Sequence, residues 1–187
     1  MSTIKGSCGD RNFGFYWFET ERSKDNSFIY GQFQIIVANN ELLKSEYEIA
    51  YDINIIARYF KKDLKHIRKR EITFSNDSKD DLYLRAERSR GDYTYLEYEQ
   101  LNNGTKTEKQ IDIELLKYKS AKPFGYRFNL YYDIEDQGFT FYLFRNRNKD
   151  RLIYCSNSSF EENGKTVYEV QLELGTVERV LSELPDL

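Results

Sequence analysis

Polar and apolar positions alternate along most of the chain, and where they do, the alternation predicts strands. Residues 13–19 form an aromatic run with the character of a buried strand. Residues 28–38 follow, with Phe33, Ile35 and Val37 on one face and Gln32 and Gln34 on the other. Polar, turn-like residues 21–27 separate the two, and Asn39-Asn40 makes the next turn. The period then changes. Ile53, Ile56, Phe60 and Leu64 recur at spacings of three and four, which predicts a helix over residues 52–65. Asp52 is its natural N-cap, since a carboxylate there accepts from a free first-turn N–H.

From residue 70 onward the period of two returns. It predicts strands at 70–75, 81–87, 92–101, 106–116, 124–134, 138–146, 150–156 and 166–174. In the last, Tyr168, Val170, Leu172 and Leu174 oppose Glu169, Gln171 and Glu173. Asn103-Gly104 and Asn163-Gly164 are hairpin signals, because both residue types tolerate the positive φ of tight turns. Thr176, as cap, opens a final helix over 176–184, with Val177, Val180, Leu181 and Leu184 as its apolar stripe and Pro185 beyond it. Connections this short favour antiparallel pairing. The pattern predicts one α+β domain over residues 1–187. It is a large twisted antiparallel sheet, a meander wide enough to curl toward a barrel, with two short helices.

Composition adds core material and removes most catalytic options. Sixteen Tyr and thirteen Phe stand beside one His. The net charge of -3 is mild and does not mark a general nucleic-acid binder. It is unevenly spread, with seven acids against two bases over residues 161–187 and six bases against one acid over residues 61–70. Cys8 and Cys155 lie far apart without metal-ligand spacing and are expected as reduced thiols. The first twelve residues lack the apolar stretch of a secretory signal, and no run reaches the ~18 apolar residues of a membrane span. A cytoplasmic protein is therefore expected, with no membrane partner.

Candidate chemistry is sparse. His66 lies among cations and has no adjacent nucleophile, so it is expected as an exposed helix-end residue. The run Lys61, Lys62, Lys65, Arg68, Lys69 and Arg70 has the charge to meet phosphates, but a solvated helix end accounts for it more simply. Asp133, Glu135 and Asp136 cluster in a turn without a full calcium-loop pattern, and Glu161-Glu162 is a similar acidic tip. Both suit a basic protein partner. Tyr93 and Tyr95 share one strand parity and are expected to face outward, where Tyr offers large contact area and a polar tip. Phosphate-binding, nucleophile-elbow and zinc-protease motifs do not occur. No cofactor is expected, and an enzyme is not.

Several short segments carry a family resemblance. Gly9-Asp10 precedes the aromatic strand Phe13-Gly14-Phe15. Then come Tyr30-Gly31-Gln32-Phe33, an apolar strand and the Asn39-Asn40-Glu41-Leu42 turn. These segments resemble the immunity proteins of bacterial polymorphic toxin and contact-dependent growth inhibition systems, with the immunity 42 family as the nearest match. The strand-into-helix ending from Val170 to Leu184 is similar as well. The resemblance implies a cytoplasmic inhibitor that binds and blocks the toxic C-terminal domain of a cognate effector. The expected contacts are Asp133, Glu135, Asp136, Glu161 and Glu162, with Tyr93 and Tyr95. The alternative is a small-ligand carrier, its curled sheet enclosing an aromatic-lined cavity.

Overall fold

In the computed structural model, residues 5–25, 28–41, 51–129, 139–156 and 166–184 are described. Strands β1 (Lys5–Gly9), β2 (Phe13–Arg22) and β3 (Ile29–Val37) form an antiparallel meander. Two short strands, β4 (Asn40–Glu41) and β5 (Tyr51–Asp52), both pair with β3. The register sets Phe15 between Cys8 and Ile35. Gly31 lies where a Cβ would run into the Phe18 carbonyl and Ile53, so this close approach requires glycine.

Helix α1 (Ile53–Lys69) packs on that sheet, and Asp52 caps it as expected, accepting from Asn54 N at 3.1 Å. The helix runs one turn beyond its predicted end. Phe60 lies 4.7 Å from the Phe15 ring and 6.0 Å from Phe33, ring centre to centre.

The next block differs from expectation. Residues predicted as strands at 81–87, 92–101 and 106–116 are instead helices α2 (Lys79–Arg90), α3 (Tyr95–Asn102) and α4 (Glu108–Leu115). Local capping decides it. Ser78 accepts from Asp81 N, and Thr94 and Thr107 form reciprocal capping boxes with Glu97 and Gln110. Gly91, at φ 84°, ends α2 in the left-handed conformation that its lack of a Cβ permits. Asn103-Gly104 turns between two helices and is not a hairpin. Asn163-Gly164 lies outside the described residues.

A second antiparallel sheet follows: β6 (Tyr126–Arg127), β7 (Phe139–Asn146), β8 (Lys149–Ser156) and β9 (Val167–Glu173). The 70–75 prediction reduces to a single bridge, Phe74 to Arg145. Helix α5 (Thr176–Glu183) closes the described chain. Its cap is not Thr176. Gly175 takes the cap position at φ 83°, and the buried Asp150 carboxylate accepts from Gly175 N at 2.9 Å and Val177 N at 3.4 Å.

The α+β class holds, but the single wide sheet does not. The described residues form two sheets and five helices, and no closed barrel. The helical block between residues 79 and 115 divides the strands into two sets. One apolar core joins both sheets: Phe15, Phe33 and Ile35 meet Phe141, Leu152 and Leu172, with α1 and α5 at its margins. Tyr142, Phe144 and Ile153 face the other way and bury Leu82, Tyr83 and Ala86 of α2. Residues 141–144 of β7 are therefore covered on both faces, which explains their unbroken apolar run. Arg151 fastens this layer. It is buried, pairs with both Glu169 oxygens and donates to the Ser75 and Asp77 carbonyls.

Candidate partner-binding surface

Helices α3 and α4 and the turn that follows carry several exposed apolar side chains. Tyr98 is 41 % exposed, Ile113 53 %, Leu116 68 % and Tyr118 52 %. The α4 helix explains the exposure of two of them. Ile111 and Leu115, four apart, point inward and are buried. Asp112, Ile113 and Leu116 then fall on the outward side, at spacings of three and four.

A polar frame holds these side chains. The Tyr93 hydroxyl donates to Asp112 Oδ1 at 2.6 Å, and its ring meets Tyr98 edge-on at 5.7 Å. The hydrogen bond to Asp112 raises the Tyr93 phenol to about 12, so it stays a neutral donor at physiological pH. Arg88 lies over the Tyr118 ring at 5.5 Å and pairs with Glu97 Oε1 at 2.8 and 3.0 Å. Burial pushes the Glu97 carboxyl up. The donors from Thr94 and the Arg88 charge outweigh it, leaving the group below the usual carboxylate range. Glu97 therefore stays ionised and keeps Arg88 oriented. These contacts set Tyr93, Tyr98 and Tyr118 beside charged groups, and aromatic side chains of this kind are enriched at protein-binding hot spots.

Of the sequence-derived contacts, Tyr93 belongs to this patch and Tyr95 does not. Tyr95 is the first residue of α3 and packs against the α2 core. The two were expected on one face of a strand. A loop residue followed by a capped helix start sends them apart. Asp133, Glu135, Asp136, Glu161 and Glu162 lie outside the described residues. Sequence reasoning missed Ile113 and Leu116, which a strand at 106–116 hides among alternating positions. His66 is exposed in the last turn of α1.

A model of the immunity protein 42 family matches residues 7–187. The chain belongs to that family. An uncharacterised protein of Pasteurella multocida is 27 % identical over 172 residues, covering 87 % of each sequence. In structure the chain is similar to CdiI from Burkholderia dolosa, with a TM-score of 0.58 at 13 % identity, over 95 % of this chain and 97 % of that one. That likeness is one of overall fold, across nearly the whole of both chains. Among the described residues, no helix is long and apolar enough to cross a membrane.

The ligand-carrier alternative is not favoured in this family. The cavity lined by Phe13, Ile35, Phe60, Phe128, Phe141 and Leu152, between the sheets, is small. It offers about the room one water needs, far below an organic ligand.

A buried acid sits where α1 meets the second sheet. Asp63 is fully buried and accepts from the Tyr126 hydroxyl at 2.6 Å and from Asn129 N and Nδ2 at 3.0 Å each. Burial raises its carboxyl from 3.8 to about 6, against the opposing pull of these donors. The folded protein therefore holds a proton that the unfolded chain releases two pH units lower. The resulting increment of stability, on the order of 3 kcal/mol, is fully present below pH ~4 and lost as pH rises through about 6. Asp63→Asn keeps an acceptor oxygen but cannot titrate. Urea unfolding from pH 4 to 7 should show the variant gaining on the wild type as pH rises. Parallel profiles would remove Asp63 as the titrating group.

Proposed function

We propose that this chain neutralises a cognate toxin domain by stoichiometric binding in the cytoplasm, without catalysis, and that the α3–α4 patch is a principal contact. Family membership supplies the role. The likeness to CdiI supports a setting in contact-dependent growth inhibition, where the partner would be the C-terminal domain of a large effector. The observation that carries the choice of surface is the exposure of Tyr98, Ile113, Leu116 and Tyr118 within 21 residues of sequence. Scattered apolar residues on a surface are ordinary, but several exposed aromatic and aliphatic side chains in one stretch of chain fit an interaction site.

An inhibitor needs a firm scaffold and a complementary face more than a reactive group. Burial pushes both cysteine thiols up to about 11, which leaves them protonated and poor nucleophiles. The test is co-purification of the tagged chain with the C-terminal domain of the effector encoded beside it. A stable complex in equal proportion is expected. Protection of the cell without any complex would overturn the reading.

A further inference from the structure

The exposed face of α1 carries charge of a single sign. Arg58, Lys62, Lys65 and Lys69 repeat at spacings of three and four and form a single exposed stripe, with Arg68 beside it. The stripe is ~17 Å long at 1.5 Å per residue. None of these five cations makes an ion pair among the described residues. The only acid of the helix, Asp63, is turned inward and fully buried.

Folding gives no reason for this arrangement. Cations in the last turn suit the negative pole of a helix, which accounts for Arg68 and Lys69. Arg58, Lys62 and Lys65 lie earlier, where that effect has faded. Like charges at a spacing of four oppose each other, so Arg58 with Lys62 and Lys65 with Lys69 weaken the helix slightly. A solvated face normally mixes both signs, as on α2 and α4. This one does not, in a chain whose net charge is -3.

We infer that the cationic face of α1 docks an acidic surface of the toxin domain. The inference rests on the immunity reading above and adds the chemistry of the partner's second contact. The other face of α1 is committed to the core through Ile53, Ile56, Phe60, Leu64 and Ile67, so no apolar side remains to enter a membrane. The stripe is confined to one helix of an acidic protein, which disfavours a nucleic-acid track. A rigid row of unpaired cations fits a carboxylate-rich protein surface, and attraction of that kind acts mainly on the rate of encounter.

The experiment measures association of the purified chain with the C-terminal domain of the neighbouring effector, from about 0.01 M to about 1 M ionic strength. Over that range the Debye length shrinks from about 30 Å to about 3 Å. The wild-type association rate should fall steeply with salt. The triple variant Arg58→Glu, Lys62→Glu, Lys65→Glu should associate at least ~10-fold more slowly at low salt, with little salt response. The triple Gln variant removes the charge without reversing it and should fall between the two, so the test stands if the Glu variant folds poorly. If the wild type binds and both variants match its kinetics, this inference fails and the immunity reading survives. If the wild type does not bind at all, both fall. If a single-stranded RNA oligonucleotide binds the wild type and loses affinity in the variants while association with the toxin domain is unchanged, the face is a nucleic-acid site and the inference is overturned.

Discussion

Leu116→Arg combined with Tyr98→Ala should leave the fold intact and abolish protection against the cognate toxin. Leu116 is largely in solvent and Tyr98 lies at the surface outside both cores, and substitutions at such positions normally shift stability far less than changes in a core. The Arg at position 116 sits at the end of α4, where a cation is favoured, so the helix itself should not suffer. Binding is another matter. Truncating a central aromatic anchor commonly costs 2 kcal/mol or more, and placing a charge in a desolvated interface costs at least as much. Together these remove on the order of 4 kcal/mol, or ~1000-fold in affinity. Calorimetric titration with the toxin domain measures it directly. Leu174→Arg, at an exposed apolar position away from α3 and α4, serves as the control and should bind as the wild type does. Equal affinity for the double variant and the wild type would move the interface elsewhere.

Phe60→Ala should cost about 3–5 kcal/mol of stability. The ring is buried and stands against Phe15 and Phe33, where α1 meets the first sheet. Its loss opens a cavity whose walls, formed by paired strands, can collapse only in part. Against a total of ~5–15 kcal/mol for a folded domain, that is about a fifth or more. The urea midpoint should fall with little change in slope, since the surface exposed on unfolding is nearly the same. A cost under about 1 kcal/mol would show that α1 is not seated through this ring. The comparison matters for function too, because the cationic stripe is only as rigid as the seat of α1.

The sequence carried the two ends of the fold well and its middle poorly. In β2, β3 and β9, one face is largely covered and the other is not, so alternation and burial coincide. Helices α1 and α5 have apolar stripes that admit a single period. Residues 79–115 are different. In 81–87, Leu82, Leu84 and Ala86 alternate as neatly as any strand, yet the helix buries Leu82, Tyr83 and Ala86. The residues themselves favoured the helix, being mainly Leu, Ala, Arg, Glu and Lys. The capping signals Thr94 with Glu97 and Thr107 with Gln110 were in plain view as well. Propensity and caps outweigh alternation in this block, and three helices form where the period of two points to strands. The site followed the same course. Tyr93 was legible as an outward aromatic. Ile113 and Leu116 become surface residues only once 108–115 turns as a helix. The pairing of Arg88 with Glu97, nine residues apart, has no sequence signature.

The central claim is that protection comes from binding in fixed proportion. Titrating the chain against a constant amount of active toxin domain tests it most directly, with residual toxicity as the readout. Inhibition should rise linearly and reach completion at one chain per toxin domain. Complete inhibition at a small fraction of that ratio would mean that each chain inactivates many toxin molecules in turn, and would contradict the account.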